Sequence, residues 1–348
     1  EIMNNKNTNA YASNNLHTIE DLKEMQSRDF YDKIQTSIAK VLEAFSRYNK
    51  KCYVSFSGGK DSTVLADIVA KCCKIFDCKL ILWYSHTGLE YPEVTKHVKD
   101  FSQWLKDKYE IEVELVIDYP KDKNGSRITF RNVIEKYGYP MISKEVSRDI
   151  AAARNKPDGK TAQKFVRGSD YHKKYGDRWL LEKWAYLLDA PFKISNQCCN
   201  IMKKKPAHIF NKESGLIPII GTMACESVLR QKEWLRAGCN AFDNENPNSK
   251  PLSFWTEQDV LRYIKEFNIP YPSVYGEIKQ NEKGEYYTTG CDRTGCVFCG
   301  YGCHLRQDHR FERLKETHPK LYEYCMKPWD KGGLGMKEVL DYIGVKYE

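Results

Sequence analysis

Ser57-Gly58-Gly59-Lys60-Asp61-Ser62 joins a short apolar strand to an apolar-periodic helix and carries the chemistry of a phosphate cradle. Adjacent glycines let the backbone approach an anion closely, and the free amides of a helix N-terminus meet negative charge with a favourable dipole. Ser57 and Ser62 add hydroxyl donors, Lys60 a mobile positive charge, and Asp61 a carboxylate suited to ordering Mg2+. The P-loop spacing Gly-x4-Gly-Lys-Ser/Thr is not met, which argues against a kinase-like or GTPase-like site. A bare Gly-Gly turn is the plainer alternative, and the polar residues flanking the glycines argue against it.

Cysteine carries the second signal. Thirteen of them, behind a polar opening that reads as no signal peptide, point to a reducing compartment and a cytoplasmic protein whose thiols bind metal or react. Cys52, Cys72, Cys73 and Cys78 read as buried apolar filler. Cys198-Cys199 and Cys291-x4-Cys296-x2-Cys299-x3-Cys303 are different, because closely spaced thiolates hold tetrahedral zinc or an iron-sulfur cluster. Spacing alone leaves open which metal is bound and which four sulfurs bind it.

The glycine loop resembles that of the PP-loop ATP pyrophosphatases and their relatives, the sulfonucleotide (phosphoadenylylsulfate and adenylylsulfate) reductases. Its Ser-Gly-Gly-Lys-Asp-Ser form is similar to that of members that split ATP between the α and β phosphates, which implies ATP as the nucleotide. The order Cys198-Cys199, Lys203-Lys204-Lys205-Pro206, Gly221, Glu226-Ser227, Arg230, Pro251-Leu252, Trp255, Asp259-Val260, Tyr263-Ile264, Pro270-Tyr271 and Gly295-Cys296 to Cys299 resembles the cluster-bearing adenylylsulfate reductases. The resemblance covers roughly residues 52–303. It implies Cys198, Cys199, Cys296 and Cys299 as ligands of a 4Fe-4S cluster, with Lys203, Lys204 and Lys205 offsetting its charge. Zinc is the runner-up metal, and Cys291, Cys296, Cys299 and Cys303 are the rival ligand set.

The same resemblance implies catalytic roles for Lys60, Asp61 and Ser62. Adenine-nucleotide contacts are expected from Ser57, Gly58, Gly59, Lys60, Asp61 and Ser62, from His86, Thr87 and Gly88, from Lys144 and Arg148 beside the family-like segment 139–145, and from Arg230. Three departures weaken a sulfonucleotide substrate. No cysteine follows Cys325, where the reductases carry a tail nucleophile; His86 stands in place of an acid; Thr222 and Met223 replace arginines that face the sulfate end. The implied activity is that of a phosphoadenylylsulfate reductase-like enzyme that binds ATP and Mg2+, adenylates an acceptor and releases pyrophosphate in sulfur metabolism or transfer, served by a sulfur-donor protein or a thiol reductant. Its alternatives are a sulfonucleotide reductase using an external thiol and a nucleic-acid-binding subunit of a DNA or RNA sulfur-modification complex, with tRNA or DNA as partner.

A third signal is basic. Lys121, Lys123, Arg127, Arg131, Lys144, Arg148, Arg154, Lys160, Lys164, Arg167, Lys173, Lys174 and Arg178 interleave with Phe130, Tyr137, Phe165, Tyr171, Tyr175 and Trp179. Such a surface holds phosphates and stacks bases. A solvated helical insertion is the plainer reading. The whole chain, 348 residues with a net charge of +8, suits anionic ligands without choosing between them.

The elements that must position these residues follow from periodicity. An amphipathic helix is expected over 34–45, a strand over 52–56, a helix over 62–74, a strand over 80–84, a helix over 92–109 and a strand over 113–117. This βαβαβ order predicts an α/β fold of the adenine nucleotide α-hydrolase or Rossmann-like kind, a parallel sheet of five or six strands with helices on both faces. Ligands of such sheets sit beyond the carboxyl ends of the strands, where 57–62 and 85–88 fall. A further core strand is expected at 218–221, and Thr256 with Asp259 forms a capping box for a helix. The expected division is a disordered tail over 1–20, a nucleotide-binding domain over 21–245 with a basic helical insertion at 119–197, and a cysteine-rich helical region over 246–348. No segment is apolar enough over the roughly 20 residues that a membrane span needs.

Overall fold

The computed structural model describes residues 15–348. The polar opening at 4–9 therefore lies outside the described residues, as does most of the expected tail. What is described of that tail already contains a helix start, because Thr18 and Asp21 form a capping box on Ile19–Ser27.

The chain folds as two compact units, each built from separated segments. One takes in the chain up to Ser85, Tyr91–Asp118 and His208–Thr294; the other His86–Glu90, Tyr119–Ala207 and Gly295–Glu348. This differs from the expected cut between 245 and 246, since parallel pairing draws each unit from distant parts of the chain.

The first unit carries a six-stranded sheet in the spatial order Val113–Asp118, Leu80–Ser85, Cys52–Ser55, Ile217–Ile220, Asn248–Ser249, Asn240–Ala241. The first four strands are parallel, in register Leu82↔Leu115, Val54↔Leu82 and Val54↔Ile219. Asn248–Ser249 continues them in parallel, but Asn240–Ala241 pairs with it antiparallel, so the sheet is mostly rather than wholly parallel. The turn between these two edge strands is too short for a parallel crossover.

Alternation places Val54, Leu80, Leu82 and Tyr84 in the main core with Val64, Leu65, Ile68, Val98 and Phe101 from the helices Lys60–Ile75 and Pro92–Tyr109. Tyr53 and Trp83 point to the other face, where Phe210 of the helix Lys205–Ser214 stacks on Trp83 and Asn211 bonds the Tyr53 hydroxyl at 2.5 Å. Helices thus cover both faces.

One buried ion pair positions the helix Glu257–Glu266. Lys33 Nζ lies 2.9 Å from both oxygens of Asp259, and that carboxylate also accepts the Thr256 N–H at 2.8 Å. Asp67, fully buried, accepts from Tyr263 at 2.7 Å, Tyr109 at 2.8 Å and Lys108 at 3.0 Å, tying three helices together.

The second unit contains the helices Phe130–Tyr137, Lys144–Asn155, Arg310–Thr317, Pro319–Met326 and Met336–Tyr342. Its strand Met141–Ile142 pairs in parallel with Gly300–Tyr301. Gly300 is required there, since a Cβ would lie 2.3 Å from Met141 Sδ. Several residues of the basic segment serve this architecture. Arg154 donates to the carbonyls of Leu187, Leu188, Ala190 and Phe192, and Arg131 to those of Trp329 and Gly333. Cys325, wholly buried with its thiol pushed up by burial, is a core residue. Among the described residues, no helix is long and apolar enough to cross a membrane.

Candidate functional site

The glycine loop leaves the carboxyl end of Cys52–Ser55 and enters the helix Lys60–Ile75. Gly58 has φ +74°, and a Cβ there would lie 2.6 Å from Val98 Cγ2, so the position admits only glycine. Gly59 is the N-cap and offers the first turn no side-chain cap. The two serines close the loop: Ser62 Oγ accepts from Ser57 N–H at 3.2 Å and lies 3.0 Å from Ser57 Oγ. Tyr275 Oη accepts the Lys60 N–H at 3.1 Å and sits 2.9 Å from Thr294 Oγ1.

Lys60 is almost fully buried. Its Nζ donates to the Asp292 carbonyl at 3.1 Å and lies 3.2 Å from Glu257 and 3.6 Å from Asp61. Burial pulls its pKa down, but Asp61, Tyr275 and Glu257 outweigh it and the net shift is upward. Burial raises Asp61 despite that lysine, with the like charge of Glu257 adding to the effect. Asp61 Oδ1 is buried with no hydrogen-bond partner, although the side chain as a whole is 26 % exposed.

These groups line a cleft of about 300 Å3 that also presents Cys225, Glu226 and Arg293. Gly221, at the carboxyl end of Ile217–Ile220, packs its α-carbon close to the Asp61 carbonyl, where a Cβ would sit 3.2 Å away. Arg230 pairs with Glu226, while burial and then the like charge of Arg293 lower its guanidinium pKa. Ser57, Gly58, Gly59, Lys60, Asp61, Ser62 and Arg230 thus belong to one unit. Glu257, Arg293, Tyr275 and Thr294 join them and were not singled out from the sequence; an acid in a first helical turn reads as dipole compensation.

His86, Thr87 and Gly88 belong to the second unit. Their loop is organised by Glu90, which accepts from Thr87 Oγ1 at 2.5 Å and Gly88 N–H at 3.0 Å and lies 3.4 Å from His86 Nδ1. Lys144 and Arg148 lie exposed on Lys144–Asn155, with Arg148 Nε donating to Asp149 at 2.7 Å.

Cys198, Cys199, Cys296 and Cys299 all belong to the second unit, whereas Cys291 belongs to the first. A Cys299 N–H to Cys296 carbonyl bond of 3.1 Å closes the Cys-x2-Cys turn. Burial, then the charges of Cys296, Cys199 and Cys299, push the Cys198 thiol up; burial and Cys296 raise Cys299 to about 11. Cys296 is the first cause raising the ammonium of the exposed Lys203. Cys303 Sγ instead donates to the Gly300 carbonyl at 3.1 Å. Among the described residues, no three His, Cys, Asp or Glu side chains converge tightly enough to hold a single metal ion.

A glycine turn and helix N-terminus at the carboxyl edge of a mostly parallel sheet, with helices on both faces, define a Rossmann-like α/β protein. Residues 130–300 match the family model of the phosphoadenosine phosphosulfate reductase domain. The glycine loop precedes the matched segment.

Two uncharacterized proteins of Methanocaldococcus jannaschii, MJ0973 and MJ0066, are 24% and 23% identical over 89% and 83% of this chain. The alignments take in 56% and 43% of those proteins, so the chain spans about half the length of the curated relatives it matches. The adenosine 5'-phosphosulfate reductase of Lysinibacillus sphaericus is 31% identical over 28% of the chain and 37% of its own length. Among solved structures, the U34-tRNA thiolase NcsA from Methanococcus maripaludis, determined with its 4Fe-4S cluster, aligns with 69% of this chain and 66% of its own at 15% identity and a TM-score of 0.35.

Proposed function

We propose that the chain is an ATP-using enzyme that adenylates an acceptor and releases pyrophosphate. The bond from an acceptor oxygen to the α-phosphorus forms, and the bond from that phosphorus to the pyrophosphate oxygen breaks. The observation that carries this reading is the glycine loop whose buried Lys60 faces a cleft shared with Asp61, Glu257 and Arg293. Gly58 and Gly59 let the backbone approach the β and γ phosphates, Ser57 and Ser62 donate to them, and Lys60 offsets charge developing on the leaving pyrophosphate. Arg293 supplies further positive charge to the same cleft, and Arg230 stands behind it on Glu226.

Two groups fit residues present here. Asp61 Oδ1, without a hydrogen-bond partner and 3.6 Å from Lys60 Nζ, suits a hard divalent cation, so Asp61 and Glu257 would hold Mg2+, which when bound neutralises phosphate charge. Cys198, Cys199, Cys296 and Cys299 would hold a 4Fe-4S cluster, a donor set of soft thiolates that suits iron-sulfur chemistry. Zinc held by the same thiolates is the runner-up. Lys203 provides the counter-charge.

The match to the reductase domain favours one second reading, a sulfonucleotide reductase that uses an external thiol. The products of ATP turnover test the first. Pyrophosphate and an adenylated acceptor are expected, or AMP where water is the acceptor, with release abolished in Lys60→Ala; ADP and phosphate would overturn it.

A further inference from the structure

We propose that the exposed face formed by residues 166–179 binds single-stranded nucleic acid, stacking bases on Tyr175 and Trp179 and pairing phosphates with Lys173, Lys174 and Arg178. Residues 119–207 hold twenty lysines and arginines against nine aspartates and glutamates, a net charge of +11 where the whole chain has +8. The remainder is therefore slightly acidic, and the anion-attracting field originates in this segment.

Within it, the basic residues divide by what they touch. Arg131 and Arg154 hold backbone carbonyls, and Arg148 and Lys164 both hold the buried Asp149. Lys174 and Arg178 lie over aromatic rings, 5.3 Å from the centroid of Tyr175 and 5.4 Å from that of Trp179, as Arg131 does over Trp329 and Lys164 over Tyr171, but among the described residues hold no carbonyl or buried carboxylate; Lys173 lies 3.7 Å from the exposed Asp170. Those residues are 48% and 43% exposed, and Val166 of the same segment is 56% exposed. Two half-exposed rings, each with a cation over its face, lie four residues apart in this basic segment. Interleaved cations and exposed rings are what a single-strand groove uses, because every unpaired base has a face to stack.

The face is also pre-organised. Ser169 caps the helix Asp170–Tyr175, accepting the His172 N–H at 3.2 Å. Arg167 bridges Asp177 at 3.1 Å and Glu182 at 2.8 Å, and His172 Nε2 lies 2.9 Å from Asp177. Less ordering entropy is then lost when a strand docks. A role for this face in holding an adenylation acceptor rests on the proposed reaction; the binding itself does not.

The test is fluorescence anisotropy of labelled oligo(U), oligo(dT) and a duplex with the full chain over a salt series, with ATP binding measured on the same samples. Single strands should bind more tightly than the duplex. Trp179→Ala and Tyr175→Ala should each weaken binding roughly tenfold, while Trp179→Phe, which keeps a stacking face, should restore most of it. Lys173→Ala combined with Lys174→Ala should flatten the slope of log K against log salt by about 1.4. ATP binding should be unchanged in all of them. Absent single-strand binding by the wild type at low salt, or equal binding by all variants, would overturn the proposal and leave the nucleotide reading standing. Burial of the face in a dimer of this chain would overturn it too.

Discussion

The Lys60 ammonium lies 3.2 Å from the Glu257 carboxylate, joining the start of the glycine-loop helix to the start of the helix Glu257–Glu266. The contact is held from behind, because Asp259 caps that helix and pairs with buried Lys33. On the proposed function, an incoming polyphosphate would compete with Glu257 for the same ammonium. Lys60→Ala should therefore loosen ATP by tenfold or more, about 1.4 kcal/mol, in calorimetric titration. Glu257→Gln should tighten Mg2+-free pyrophosphate. Unchanged affinities in both variants would remove Lys60 from the site.

The two glycines should separate in their response to alanine. At Gly58 the positive φ and the 2.6 Å approach to Val98 leave no room for a Cβ, so Gly58→Ala should lose about 2 kcal/mol or more of stability. Gly59 has φ −78°, and its Cβ would lie 3.1 Å from the Thr294 hydroxyl. Gly59→Ala should keep the fold while weakening ATP. Urea unfolding beside nucleotide titration checks both, and equal stability losses would contradict this geometry.

Burial lowers the His97 pKa from 6.5 to about 4; the ring lies 3.0 Å from Thr63 Oγ1 and stacks on Phe101. The unfolded chain therefore binds more protons than the folded one between these values. His97 contributes fully above about pH 6.5, and its share, about 3 kcal/mol, is lost as pH falls towards 4. Urea midpoints at pH 7 and 4.5 should differ more for the wild type than for His97→Gln. Equal differences would show that His97 does not titrate in this window.

Cysteine variants separate the two ligand sets. Anaerobically purified protein should be brown and carry iron and sulfide, and Cys198→Ser or Cys299→Ser should bleach it. Cys303→Ser, whose thiol bonds the Gly300 carbonyl, and Cys291→Ser should leave the colour. Bleaching by Cys291→Ser and Cys303→Ser, with colour retained in Cys198→Ser, would favour the local set; colourless protein with stoichiometric zinc would exclude the cluster.

The central elements were legible because period and punctuation agree there. The helix Pro92–Tyr109 begins at its proline, and the Thr256–Asp259 capping box starts its helix as expected. The edge strands Asn240–Ala241 and Asn248–Ser249 have two residues each, too few to show alternation, so the antiparallel edge was not legible. Nor was the interleaving of two units, which depends on pairings between distant segments. At the site, Ser57 to Ser62 announced themselves by type and spacing. Glu257 did not, since only the tertiary contact distinguishes it from an ordinary first-turn acid, and Glu90 was hidden for the same reason.

The most direct test of the central claim is binding of ATP, adenylylsulfate and phosphoadenylylsulfate to the anaerobic full chain side by side, with pyrophosphate release followed in the same samples. The account predicts that ATP binds most tightly and alone yields pyrophosphate. Preference for a sulfonucleotide, with no pyrophosphate from ATP, would contradict it.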